Sequence, residues 1–124
     1  MSSKVLIVED DSTTRRLVHF VLKPLEVDVI DAANATEAKA AVQQQAFQLI
    51  LMDLNLPGMD GFLLIELLRE HEHAATTPVI VLTARSNPAD TSRAQQMGCA
   101  GFLYKPFGTQ ALRSIVARTL GLPE

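Results

Sequence analysis

Four short apolar runs in this chain break off on polar residues. Leu49 to Met52 ends in Asp53 before Leu54-Asn55-Leu56-Pro57-Gly58, and Lys4-Val5-Leu6-Ile7-Val8 ends in Glu9-Asp10-Asp11. Val79-Ile80-Val81-Leu82 ends in Thr83, and Gly101-Phe102-Leu103-Tyr104 ends in Lys105-Pro106. A short buried strand that stops on a polar side chain delivers it to the carboxyl edge of a sheet, where open α/β folds keep their sites. Carboxylates gathered there repel one another and call for a cation. An all-oxygen site open to water suits Mg²⁺, or Mn²⁺. Lys105 is expected as a fixed positive charge on the far side of the acids, with Thr83 as a neutral hydrogen-bond donor. Metal, ammonium and hydroxyl together can hold a phosphoryl group, and Asp53, lying between metal and lysine, can attack it as a nucleophile. The product would be an aspartyl phosphate.

Such a rim requires elements that bring distant segments level. Strand-like and helix-like patterns alternate five times, with no linker or repeat between them. Ser12 is the expected N-cap of a helix to about Lys23, with Leu17, Phe20 and Val21 on one side and Pro24 as its stop. Val27 to Ile30 reads as the second strand. Asn34 caps a helix through Gln45 whose stripe is Ala38, Ala41 and Val42. The helix from Phe62 to about His71 is apolar on most of its surface, which predicts deep burial. Asn87-Pro88 opens a fourth helix ending at Met97-Gly98. Met97 is its only sizeable apolar residue, so it should be held less firmly than the others. Thr109 to Leu120 closes the series with Leu112, Ile115, Val116 and Leu120 at helical spacing.

Alternation of this kind predicts an α/β fold: a doubly wound, five-stranded parallel sheet with five helices on its two faces. Strand order 2-1-3-4-5, taken from known flavodoxin-like folds, would set the first and third strands side by side and gather Glu9, Asp10 and Asp53. At 124 residues the chain is sized for one domain, 1–124, with a core of its own. A net charge of −3 and 11 scattered Lys and Arg argue against a nucleic-acid surface. Cys99 is the single cysteine, so no internal disulfide forms. No apolar stretch approaches the roughly 20 residues of a membrane span, and Met1-Ser2-Ser3-Lys4 leads into a strand without a signal-peptide core. A cytoplasmic protein is expected.

Val8-Glu9-Asp10, Leu51-Met52-Asp53, Leu56-Pro57-Gly58-Met59-Asp60-Gly61, Val81-Leu82-Thr83-Ala84 and Tyr104-Lys105-Pro106-Phe107, in this order, resemble the receiver domain of bacterial two-component response regulators. The resemblance covers essentially the whole chain. It implies that Asp53 accepts a phosphoryl group from a phosphohistidine on a sensor histidine kinase or a histidine phosphotransfer protein. Mg²⁺ would be bound by Asp10 and Asp53, by the backbone carbonyl of Asn55, and by Glu9 mainly through water; Asp11 stays outside the ligand set. Thr83 and Lys105 would contact the phosphoryl oxygens, and Phe102, three residues before Lys105, would relay the change to a fourth-helix, fifth-strand, fifth-helix face that binds a downstream protein. Asn55 and Arg85 sit where the family tunes dephosphorylation. Such a domain is not an enzyme in the usual sense, since it catalyses only its own phosphorylation and dephosphorylation.

Arg15 and Arg16 read as a solvated helix face or a place where a kinase docks. His71 and His73 lack metal-ligand spacing. A haloacid-dehalogenase-type phosphatase needs a second Asp two residues after the nucleophile, and Asn55 stands there. A flavodoxin-like nucleotide binder needs a phosphate loop after the first strand, where Glu9-Asp10-Asp11 would repel phosphate. A phosphate-independent interaction module on the same fold is the remaining alternative. Ala100-Gly101 lacks the acidic residues that precede the fifth-strand aromatic in many DNA-binding regulators, which favours a monomer or a weak, phosphorylation-dependent dimer. Either a stand-alone regulator or a receiver cut from a longer chain fits the sequence.

Overall fold

Five parallel strands carry the polar residues to one edge: β1 (Lys4–Val8), β2 (Asp28–Ala32), β3 (Leu49–Asp53), β4 (Val79–Thr83) and β5 (Gly101–Tyr104). The structure, a computed structural model, describes residues 3–84 and 87–123. In one sheet the strands run in the order β2-β1-β3-β4-β5, the expected 2-1-3-4-5. Every residue of β3 and β4 is buried, as central strands covered on both faces must be. The register sets Val8 beside Met52, Asp53 beside Leu82 and Thr83 beside Tyr104, so the strand ends lie level.

Strict alternation divides the core in two. Leu6, Val8, Ile50, Met52, Val79 and Val81 face one layer, built from α2 (Ala35–Gln44), α3 (Gly61–Arg69) and α4 (Pro88–Gln96). Val5, Ile7, Leu49, Leu51, Ile80 and Leu82 face α1 (Ser12–Leu22) and α5 (Thr109–Leu120). After β3 a two-residue antiparallel ladder, Asn55–Leu56 against Met59–Asp60, turns through Gly58 at φ +71°. Gly61 then begins α3 where no side chain fits. A Cβ there would lie 2.6 Å from the Leu54 Cα and 2.8 Å from the Asp53 carbonyl oxygen.

Several boundaries differ from those expected. β2 is Asp28–Ala32 rather than 27–30, because each residue of β1 takes a partner, from Lys4 with Asp28 to Val8 with Ala32. Asp11, not Ser12, is the N-cap of α1: its carboxylate accepts from the Thr14 N–H at 3.1 Å, and a carboxylate is at least as good a cap as a hydroxyl. That helix stops at Leu22, and Lys23–Leu25 forms a 3-10 turn around Pro24. The expected stripe of Leu17, Phe20 and Val21 is also wrong in two members. Val18, Val21 and Leu22 face the core, while Leu17 is 42% and Phe20 71% exposed. Both sets have helical spacing, and Val18, Val21 and Leu22 are the one that packs with Val5, Ile7, Leu49 and Leu51. Asp60 caps α3, its Oδ1 accepting from the Phe62 N–H at 2.9 Å, and the helix ends at Arg69. Burial of α3 is deep for Phe62, Leu64, Ile65 and Leu68, but Leu63 is exposed.

α4 is the thinly packed helix the sequence predicts. Asn87 caps it, Pro88 leads it, and Ala94 is its one buried residue. Polar contacts join it to its neighbours. Arg93 lies 4.7 Å over the Phe62 ring, 3.7 Å from Asp60 and 3.9 Å from Glu66. Arg69 donates back from α3 to the Met97 carbonyl at 2.5 Å, and Thr91 shares a 3.0 Å hydrogen bond with the Tyr104 hydroxyl.

Urea unfolding should separate these environments. Gly61→Ala, which drives a methyl into backbone, is expected to cost about 2 kcal/mol. Phe62→Ala should cost about 3–5 kcal/mol, whereas Phe20→Ala should stay within about 0.5 kcal/mol of wild type despite the aromatic ring it removes.

Candidate functional site

The site begins in the turn after β1. Glu9 continues the ladder, its N–H donating to the Ala32 carbonyl at 3.0 Å, and its side chain is 1% exposed. Asp10 follows on the exposed side and Asp11 turns away to cap α1. Asp53 ends β3 at 3% exposure, with Oδ1 accepting from the Asn55 N–H at 3.1 Å. One carboxylate oxygen from each of Glu9, Asp10 and Asp53 lies within 4.8 Å of the others. Adjacency of β1 and β3 produces this cluster, and hard oxygen donors so arranged match what a small divalent cation takes.

Lys105 does not stand across from the acids as the sequence suggested. Its N–H donates to the Thr83 carbonyl at 2.7 Å, which fixes the chain after β5, and the Lys105–Pro106 peptide is cis. The ammonium reaches in among the carboxylates, hydrogen-bonding Glu9 Oε1 and lying 3.5 Å from Asp53 Oδ2. A glutamate at position 9 has one methylene more than an aspartate. That reach brings its carboxylate to the lysine.

Burial pushes the Glu9 carboxyl up to about 7; the hydrogen bond from Lys105 opposes the shift, and the adjoining Asp53 reinforces it. Burial alone would lower the Lys105 ammonium, but the hydrogen bond to Glu9 and the charges of Asp53 and Glu9 outweigh it and hold the group above its usual value. The lysine is therefore charged across the physiological range.

Thr83 ends β4 fully buried. By register Phe102 is beside Val81 and Tyr104 beside Thr83, so Thr83, Phe102 and Tyr104 all lie on the sheet face that α4 covers. The Phe102 and Tyr104 rings meet at 5.0 Å between centroids, tilted by 56°. Asn55 is exposed beside Asp53, and Arg85 lies outside the described residues. An open groove of about 310 Å³ runs up to Lys105 between Thr14 and Leu17 on one side and Ala84, Pro106 and Phe107 on the other.

Two residues carry contacts that the sequence reading did not foresee. Arg15 is not on a solvated face: its Nη1 donates to the Glu9 carbonyl at 2.7 Å and its side chain is 18% exposed. Tyr104, read as a strand residue and as the start of the Tyr104-Lys105-Pro106-Phe107 motif, joins the Phe102 ring to Thr91 of α4. An arginine one helical turn after the acids was the available signal for the first; nothing in the sequence marked the second.

The family profile of the response regulator receiver domain matches residues 5–117. The chain belongs to that family. Among its relatives, this receiver is 34% identical over 116 residues to a probable transcriptional regulator, ycf29, of Porphyra purpurea, across 94% of this chain and 56% of that protein. It is 34% identical over 122 residues to the transcriptional regulatory protein SrrA of Staphylococcus aureus, across 98% of this chain and 48% of that protein. The receiver thus spans about half the length of these relatives. Among solved structures, chemotaxis protein CheY4 of Vibrio cholerae superposes with a TM-score of 0.89 at 32% identity, covering 97% of this chain and 100% of that one. The receiver domain of a sensor histidine kinase from Pseudomonas aeruginosa, with a magnesium ion coordinated in its active site cleft, gives 0.85 at 30% identity, covering 98% and 99%. No described helix is long and apolar enough to cross a membrane.

Glu9 gives the receiver a measurable pH dependence. Burial raises its pKa to about 7 from the 4.5 of a free glutamate, so between those values the folded state holds a proton that the unfolded chain releases. In metal-free buffer this group's contribution to stability is present below that window and is lost as pH rises through it. Urea midpoints measured across the range should show the fall, and Glu9→Gln should flatten it.

Proposed function

We propose that Asp53 accepts a phosphoryl group from a phosphohistidine on a sensor histidine kinase or a histidine phosphotransfer protein, with Mg²⁺ as cofactor. The observation that carries this reading is the placement of the Lys105 ammonium and the Asp10 and Glu9 carboxylates around a buried Asp53. Asp10, Asp53 and the Asn55 carbonyl would hold the metal directly, and Glu9, engaged by Lys105, would serve it through water. Bound Mg²⁺ supplies positive charge that screens Asp53 from the incoming phosphoryl oxygens.

In the transfer an Asp53 carboxylate oxygen forms the new bond to phosphorus, and the phosphorus–nitrogen bond breaks with its electron pair staying on the imidazole nitrogen. Lys105, already beside Asp53, neutralises the phosphoryl oxygens as they arrive, and the Thr83 hydroxyl donates to another. Phosphorylation adds about −1.5 to −2 charges at Asp53 and gives Thr83 and Lys105 a new acceptor. Thr83 and Phe102 share the α4 face of the sheet, so a movement of Thr83 changes the space open to the Phe102 ring. The output surface is α4, β5 and α5, which binds a downstream protein. Residues 1–124 act as one receiver unit in the cytoplasm, with no nucleic acid bound directly, and Asn55 and Arg85 tune the lifetime of the phosphoryl group.

Intact mass after incubation with a small phosphodonor and Mg²⁺ tests the acceptor. One phosphoryl group is expected on wild type and none on Asp53→Asn or after chelation of Mg²⁺. Lys105→Met should slow uptake on the order of 100-fold. No adduct in wild type, together with no binding of beryllofluoride, would move the chain to a phosphate-independent interaction module. For the switch, beryllofluoride should shift backbone amide resonances from Arg85 to Phe107, and an unchanged spectrum there would remove Phe102 as the relay.

A further inference from the structure

We infer that Arg15 is a positioning residue for the acidic turn, locked in place by Asp31 and His19. The inference rests on the reading of Glu9 and Asp10 as metal-site acids. The Glu9 peptide groups are held from two directions. Its N–H donates to the Ala32 carbonyl of β2 at 3.0 Å, and its carbonyl accepts from Arg15 Nη1 at 2.7 Å. That carbonyl belongs to the planar peptide joining Glu9 to Asp10, so fixing its direction fixes the plane from which both acidic side chains depart.

Arg15 is itself clamped. Its Nε lies 3.4 Å from Asp31 Oδ2, and the other oxygen of the same carboxylate, Oδ1, is 2.6 Å from His19 Nε2. Asp31 neighbours Ala32 on β2, the strand that holds the Glu9 N–H. Helix α1 thus ties the end of β1 to β2 through one side chain. A guanidinium can do this because its rigid fork donates to a carbonyl from one nitrogen while another pairs with a carboxylate, which a lysine ammonium on a flexible stem cannot reproduce.

Electrostatics and positioning predict opposite signs, which makes the role testable. Removing a cation near three carboxylates should, by charge alone, tighten Mg²⁺ binding. If Arg15 orients the turn, removing it should weaken binding.

The experiment compares wild type with Arg15→Ala, Arg15→Lys, Asp31→Asn and the exposed neighbour Arg16→Ala. Two readings are taken: the Mg²⁺ concentration at half-maximal phosphoryl uptake from a small phosphodonor, and amide hydrogen exchange of Glu9 to Asp11 in metal-free protein. Outer partners of metal ligands typically change affinity by 10–100-fold, and a rise of about tenfold in half-saturating Mg²⁺ is expected for Arg15→Ala. The rate at saturating Mg²⁺ should stay near wild type, and the Glu9 to Asp11 amides should exchange faster while Val5 to Val8 do not. Arg15→Lys should restore little, and Arg16→Ala should match wild type. Asp31→Asn should give a smaller change in the same direction, with no added effect in the Arg15→Ala background; it carries both readings should Arg15→Ala fail to fold.

Unchanged or tighter Mg²⁺ binding in Arg15→Ala overturns the inference, as does unchanged exchange in the turn. Wild type that takes up no phosphoryl group would instead sink the functional reading, and the exchange data on metal-free protein would still decide whether Arg15 orders the turn.

Discussion

Everything at the carboxyl edge of this sheet is organised by one ammonium group held between two buried carboxylates. Glu9 and Lys105 are 96 residues apart in sequence, and their hydrogen bond needs β1, β3, β4 and β5 side by side and in register. With all groups ionised, the three carboxylates and the lysine carry two negative charges, from −3 and +1. One divalent cation matches that balance. Lone buried carboxylates at Glu9 and Asp53 would be costly, and the lysine lowers that cost without giving up the negative charge that attracts a metal.

The fold separates rigid and responsive parts by the two faces of the sheet. On the side of α1 and α5, buried valine, leucine and isoleucine join helix to strand, and Gly101 lets Ile115 of α5 approach β5 so closely that a Cβ there would lie 2.4 Å from it. On the other side, α3 buries Phe62, Leu64, Ile65 and Leu68 and α2 buries Ala38 and Val42, but α4 buries one alanine. Thr83, Phe102 and Tyr104 all open onto this thinner side. These three residues therefore lie beneath the helix with the least apolar packing.

Much of this was legible in the chain because parallel central strands are apolar throughout and stop on whatever polar residue the site requires. That rule put Asp53, Thr83 and Lys105 at strand ends, where the structure has them, and five alternations of strand and helix pointed to a parallel α/β sheet. Edges of elements were harder. β2 is an edge strand with acidic residues at Asp28 and Asp31, so its limits are set by pairing with β1 rather than by its own hydrophobicity. On α1, two apolar stripes with the same spacing competed, and only the sheet decides between them. The placement of Lys105 beside Glu9 was missed because strand-end position says where a Cα lies, not where a long side chain goes. Arg15 was missed for the same reason, its partner being a backbone carbonyl that carries no mark in sequence.

α4 is fastened to the domain by arginines, a ring face and a hydroxyl pair rather than by apolar area. Exposed ion pairs contribute about 0–1 kcal/mol each and weaken as dissolved ions screen them, whereas burial of hydrocarbon is strengthened by many salts and leaves a large heat-capacity signature. The domain thus has two kinds of joint. Most of it responds to heat and denaturant, and the attachment of one helix responds to ionic strength, so the resting position of α4 is a property of the surrounding solution as well as of the protein.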